Sequence, residues 1–189
     1  MEEGTRRIRE IVLSLRNFSR LDESEFKKVD IHEGIESTLM ILQNRLKAKP
    51  DFPGIEIIKE YGDLPLIECY PSQLNQVFMN ILVNGIDALE EKIIKNNNRT
   101  PQVTIITKIA NKKAAQIHIR DNGDGIPKNI ISNIFDPFFT TKDVGKGTGL
   151  GLSVSYQIIV DKHGGKLSCQ TIPSEGTNFM IEIPITHTD

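Results

Sequence analysis

The stretch from Asp121 to Leu152 constrains this chain most: Asp-Asn-Gly-Asp-Gly-Ile-Pro, then Ile-Phe-Asp-Pro-Phe-Phe-Thr-Thr-Lys, then Gly-Lys-Gly-Thr-Gly-Leu-Gly-Leu. It has too many glycines for a core segment and too many apolar residues for a disordered linker. Glycine reaches φ > 0 and lets a ligand approach the backbone closely. Gly145, Gly147, Gly149 and Gly151 run into Ser-Val-Ser-Tyr-Gln-Ile-Ile-Val, which reads as a loop entering a helix. Such a start offers free N–H groups and the positive end of a dipole, which suits phosphate. Neither common phosphate loop fits. Gly-x-x-x-x-Gly-Lys-Ser/Thr is absent, and no strand immediately precedes the helix as in a dinucleotide fold. Phosphate binding therefore needs support from elsewhere in the chain.

The 189 residues suffice for one full core and an appendage. A formal net charge of −2 makes no electrostatic case for nucleic acid or an anionic membrane surface. Cys69 and Cys169 are far apart and have no metal-ligand spacing, which favours a reducing compartment. No apolar run approaches the ~20 residues that span a bilayer, and no secretory signal opens the chain. The expected location is cytoplasmic, with an anchor left open for a longer parent protein.

Ile8, Ile11, Val12, Leu15 and Phe18 recur at helical steps, predicting an amphipathic helix over 5–21 whose stripe must be buried somewhere. The charged stretch Asp22 to Lys28 reads as a linker, dividing the chain into residues 1–28 and 29–189. Asp30 and Glu33 form a box-like start to a second helix, which Lys49-Pro50 ends. Residues 55–60 and 66–69 read as short strands, and Pro71-Ser72 opens a third helix running to about Lys95. Residues 102–109 and 115–120 alternate as strands, and the second delivers Asp121 into the glycine-rich segment. A helix over 150–161, a His163-Gly164-Gly165 turn and a hairpin of 166–171 with 177–184 complete an α+β arrangement.

The third helix carries a second clue. Asn80, Asn84, Asp87 and Glu91 share one face, opposite Leu74, Phe78, Leu82, Gly85 and Leu89. Asparagine is a poor helix former, because its side chain competes for nearby backbone groups. Two readings are open: a solvated face, or a polar wall of a cleft whose carboxamide oxygens suit a hard cation such as Mg²⁺.

Four segments stand in a telling order: Asn80-x-x-x-Asn84-x-x-Asp87-Ala88, Asp121-x-Gly123-x-Gly125, Phe135-Asp-Pro-Phe-Phe139-Thr-Thr-Lys142 and Gly147-Thr-Gly-Leu-Gly-Leu152. The set resembles the N, G1, F and G2 boxes of the catalytic ATP-binding domain of two-component sensor histidine kinases, most like the nitrogen-regulation subgroup. The resemblance covers roughly residues 29–185 and implies the Bergerat fold shared with DNA gyrase B, MutL and the large heat-shock chaperones. That fold is a two-layer α/β sandwich with a mixed, mostly antiparallel sheet and helices on one face. Residues 1–28 would then be the second helix of a dimerisation hairpin and its linker.

The resemblance also implies roles. Asn84 is the Mg²⁺ ligand and, with Asn80 beside it, part of the catalytic face, to which Asp87 is close. Asp121 accepts from the adenine amino group, with Gly123, Gly125 and Ile126 along the base and Thr177 behind the carboxylate. Residues 138–150 form a mobile lid over the triphosphate, contributing Phe139, Thr140, Thr141 and Gly147. Thr148 and the amides of Gly149, Leu150, Gly151 and Leu152 face phosphate, with Lys142 or Lys146 as charge partners. Phe135, Phe138 and Phe139 are expected to anchor the lid by packing.

The implied activity is Mg-ATP-dependent phosphorylation of a histidine, with ATP and ADP as ligands and a response-regulator receiver domain as partner. The parent protein is implied to be a homodimer. The alternatives are a gyrase- or chaperone-type ATPase that uses nucleotide to drive conformational change, and a non-catalytic nucleotide-binding module. The sister ATPases carry a glutamate where this chain has Asn80. A neutral amide cannot activate water as that base does, which favours the kinase. His32 reads as a helix-start residue, His118 as exposed, His163 as a turn residue and His187 as a tail residue. None suits the phosphoacceptor, so the acceptor helix is expected to be absent from this chain.

Overall fold

A computed structural model describes residues 25–50, 52–94, 100–111, 113–142 and 148–186. The helix expected over 5–21, His187, and the candidate phosphate-site residues Lys146 and Gly147 lie outside them. Strand β1 (Lys27–Val29) pairs antiparallel with β3 (Ile67–Cys69), with Lys28 opposite Glu68. Lys27 and Lys28, read as linker, are thus strand residues. A three-residue strand carries no periodic signal, and only its distant pairing partner defines it.

Helix α1 (Ile31–Leu46) begins where the Asp30 carboxylate accepts the His32 amide at 2.9 Å. This satisfies one of the helix's orphan donors. Ile31, Ile35, Leu39 and Leu42 form its buried stripe. It stops at Leu46, short of Lys49-Pro50. Helix α2 (Pro71–Ile94) opens with proline, whose missing N–H is no loss at a first helical position. Its core side buries Leu74, Val77, Phe78, Ile81, Leu82, Ile86 and Leu89.

These stripes cover one face of a five-stranded sheet ordered β2 (Glu56–Tyr61), β4 (Gln102–Ala110), β5 (Ala114–Asp121), β7 (Gly176–Pro184), β6 (Lys166–Ile172). Only β2–β4 is parallel; the other pairs are antiparallel. Strand alternation sends Val103, Ile105, Ile117, Ile119, Phe179 and Ile181 to the helices, each 4 % exposed or less. Full burial of such a side chain stabilises by roughly 1.5–3 kcal/mol, so this face anchors the layers. The fold is the expected two-layer α+β sandwich.

Helix α3 (Gly151–Tyr156) continues as π-helical Gln157–Lys162. His163 follows it, and is more than the turn residue expected: it is fully buried. Its Nε2 accepts the Tyr70 amide at 3.0 Å, so Nδ1 carries the proton and donates to Ile158 O at 2.7 Å. The ring therefore ties the start of α2 to the end of α3. His32, in the first turn of α1, stacks on Tyr61 and bonds Thr107 Oγ1 at 2.9 Å. His118, expected to be exposed, is half-buried on the outer sheet face and contacts Asn178 at 3.3 Å.

Candidate functional site: a cleft between helix α2 and the glycine-rich segments

Strand β5 ends at Asp121, paired with Thr177 of β7, and both are 5 % exposed. The Gly123 amide donates to Asp121 Oδ1 at 2.8 Å. Burial pushes the carboxyl above the ordinary aspartate range, against the pull of backbone amides of Gly123, Thr177 and Asp121 itself and of the Lys92 charge. Desolvation wins there because amides offset only part of the lost hydration. Gly85 of α2 faces this carboxylate, and a Cβ there would lie 3.8 Å from Oδ2. Read as an apolar-stripe residue, it instead lines the cleft and leaves its floor open.

The polar face of α2 forms the opposite wall. Asn80, Asn84, Asp87 and Glu91 all line one cleft of about 650 Å³, a volume suited to a small-molecule ligand. Asn80 donates its amide N–H groups to Gly151 O at 2.9 Å and Ser155 Oγ at 3.1 Å. What it can offer a ligand is therefore its carbonyl oxygen. Lys142 reaches across to the Asp87 carboxylate and lies 3.5 Å from Asn84 Oδ1. Arg45 of α1 grips Asp87 Oδ1 and Glu90 Oε2 from the other side, both at 2.5 Å.

The loops close the remaining sides. Gly125 has φ +76°, and a Cβ would sit 2.7 Å from Ile172 O, so only glycine fits. Ile126 N donates to Thr171 Oγ1 at 2.7 Å, and both Gly125 and Ile126 line the cleft. Phe139, Thr140, Thr141, Thr148, Gly149, Gly151, Leu152 and Thr177 line it too. Gly149 (φ +66°) packs against the Phe138 backbone. The first intrahelical bond of α3 runs from Val154 N to Leu150 O, which leaves the preceding amides without intrahelical acceptors.

Of the candidate residues described, Gly123 and Leu150 are not among those lining the cleft. Gly123 instead supports Asp121 from below, and Leu150 is 37 % exposed beside the helix start. Phe138 corrects the packing expectation. It is 74 % exposed with φ +66°, a left-handed conformation that turns its ring outward, while Phe135 packs near Tyr156 at 5.5 Å. Cys69 is fully buried and Cys169 partly so; burial pushes both thiols up to about 12, as suits small apolar strand residues.

Residues 69–187 match the family of histidine kinase-, DNA gyrase B- and HSP90-like ATPases. The chain belongs to this family. Among relatives of this ATPase-family chain is the sensor kinase CckA of Brucella abortus, 34% identical over 97% of this chain and 20% of that protein. Another is the signal transduction histidine-protein kinase AtoS of Escherichia coli, 33% identical over 94% of this chain and 27% of that protein. The chain thus spans about a fifth to a quarter of these relatives' lengths. The catalytic domain of histidine kinase ThkA, solved in a nucleotide-free form, superposes with a TM-score of 0.71 at 28% identity, covering 86% of this chain and 99% of that one. No helix among the described residues is long and apolar enough to cross a membrane.

Sequence reasoning missed Lys92. It is 5 % exposed, and its Nζ donates to Asn122 O at 2.8 Å and Gly123 O at 3.1 Å. It therefore holds the Asp121–Gly125 turn against α2. A signal existed: Lys92 extends the stripe of Gly85 and Leu89, where a lysine needs buried acceptors. Lys92→Met should strand both carbonyls and destabilise the fold by about 1–3 kcal/mol. Urea unfolding checks this, and an unmoved midpoint would contradict the clamp.

Proposed function

We propose that this chain binds Mg-ATP in the cleft and transfers the γ-phosphoryl group to a histidine supplied by another helix. The observation that carries the reading is the convergence on one cavity of the polar face of α2 and the separate segments around Asp121, Phe139 and Gly149. The cavity has a buried carboxylate at its floor, carboxamides on one wall and glycine-freed amides on the other. Asp121 accepts from the adenine 6-amino group, at a position where guanine carries a carbonyl. Thr148 and the α3 amides hold phosphate, with Lys142 and Lys146 supplying charge.

Mg²⁺ fits this donor set. No cluster of three or more His, Cys, Asp or Glu suits a metal among the described residues, but Mg²⁺ needs only one or two protein oxygens when phosphates complete its shell. Asn84 would provide one, with Asn80 beside it, and the bound ion would neutralise charge that builds on the phosphates. The bond from γ-phosphorus to the bridging oxygen breaks as an imidazole nitrogen bonds the phosphorus. ADP departs, and the ring loses a proton.

The three described histidines are engaged in the fold and His187 is read as a tail residue, so the acceptor is assigned to another helix. The residues before β1 are read as the second helix of a dimerisation hairpin and its linker, in a dimeric parent acting on the cytoplasmic side. A receiver domain then takes the phosphoryl group on an aspartate. Asn80 favours transfer over hydrolysis, since a neutral carboxamide is not basic enough to activate water.

Incubation with γ-labelled ATP and a separate helical hairpin bearing an acceptor histidine should yield acid-labile, alkali-stable label on the hairpin. Steady phosphate release with an unlabelled hairpin would favour the ATPase instead. Nucleotide binding with neither product would leave a binding module.

A further inference from the structure

The cluster around Asp87 does more than line the cleft. Its carboxylate is shared by two cations from different elements: Arg45 of α1 on Oδ1 at 2.5 Å, and Lys142 of the loop before α3 on Oδ2. Arg45 also bonds Glu90 through Nε at 3.2 Å and through its terminal nitrogen at 2.5 Å, a two-point grip that fixes the guanidinium. The side chains of Asp87 and Lys142 are only 23% and 28% exposed, so their attraction is less screened than in a surface pair. The two acids and two bases balance, and the cluster holds itself without a ligand.

Its position matters because the Lys142 ammonium lies 3.5 Å from Asn84 Oδ1, the oxygen assigned above to the metal. An ammonium and a divalent cation cannot share that oxygen without strong repulsion. From this we infer that Lys142 is a built-in competitor for the cation position at Asn84, and that Asp87 holds it there. Arg45 is a positioning residue: by neutralising part of Asp87 it keeps the hold weak enough to release. Mg-ATP binding then moves the lysine ammonium from the Asp87 carboxylate to the triphosphate, and Asp87 keeps Arg45. Asp87 thereby sets how readily nucleotide enters without touching it. This inference rests on the nucleotide reading of the cleft.

The test is a double-mutant cycle on ATP affinity, measured by calorimetry in EDTA and in Mg²⁺, with Asp87→Asn, Lys142→Met and the pair. Asp87→Asn should tighten ATP binding about fivefold in Mg²⁺, where the freed lysine vacates the cation position, and by less in EDTA, where no metal contends for Asn84. The same change should do nothing in the Lys142→Met background. Arg45→Met, which also leaves the nucleotide untouched, should weaken ATP binding about threefold with Lys142 present and not without it. An equal effect of Asp87→Asn in both backgrounds, or weaker Mg-ATP binding in both, would mean that Asp87 acts on nucleotide or metal directly and would overturn the competitor. Wild-type protein that binds no ATP would sink the nucleotide reading as well, and so marks that failure separately. Retained melting temperatures identify folded variants. For one that fails to fold, Asp87→Ser and Lys142→Gln repeat the same cycle.

Discussion

Asp121→Asn is expected to lower ATP affinity about ten- to a hundredfold while leaving the fold as stable as before or more so. A hydrogen bond to a charged acceptor contributes about 1.5–3 kcal/mol, and the substitution replaces that acceptor with an N–H that opposes the adenine amino group. The remaining carbonyl oxygen still accepts the Gly123 amide, so the turn keeps its support. Stability moves the other way because burial already disfavours the charge. A carboxyl whose folded-state pKa lies above its unfolded value opposes folding at neutral pH, and an amide removes that penalty. Guanine presents a carbonyl at the same place, so the variant should also lose discrimination against GTP. Calorimetric titration with both nucleotides, beside a thermal melt, checks all of this. A parallel loss of stability and affinity would make Asp121 a structural residue only.

Asn84→Ala should erase the metal dependence of binding rather than binding itself. Wild-type affinity for ATP is expected to rise with Mg²⁺, because the carboxamide oxygen and the phosphates together complete an oxygen shell. Without that oxygen the Mg²⁺ enhancement should fall about 10- to 100-fold, the range typical for weakening a metal site. Phosphotransfer should fall at least as far. Asn80 is not a ready substitute, since its N–H bonds to Gly151 and Ser155 hold its side chain towards α3. An unchanged ratio of affinities with and without Mg²⁺ would remove Asn84 from the metal.

Much of this architecture was legible because its signals are local. Val103, Ile105, Ile117 and Ile119 announce strands by alternation, and that alternation faces the helices as expected. The cleft showed itself through residues that are poor choices for stability alone: asparagines within a helix, and glycines where a side chain would strike backbone, as at Gly125 and Gly149. The parts that were not legible depend on partners far along the chain. The stripe position of Lys92 hints at burial, but its acceptors, the carbonyls of Asn122 and Gly123, appear only in the fold, and His163 matters only against the Tyr70 amide. Arg45 joins the site through Asp87 and Glu90 of another helix. Strand β1 is too short to alternate, and the outward turn of Phe138 comes from one backbone angle that no side-chain pattern encodes.

The most direct test of the central claim is a crystal structure of the protein grown with Mg²⁺ and a non-hydrolysable ATP analogue. The adenine amino group is expected within hydrogen-bond reach of Asp121, the metal on Asn84, and the phosphates between α2 and the start of α3. A nucleotide bound elsewhere, or one whose base turns away from Asp121, would contradict that claim.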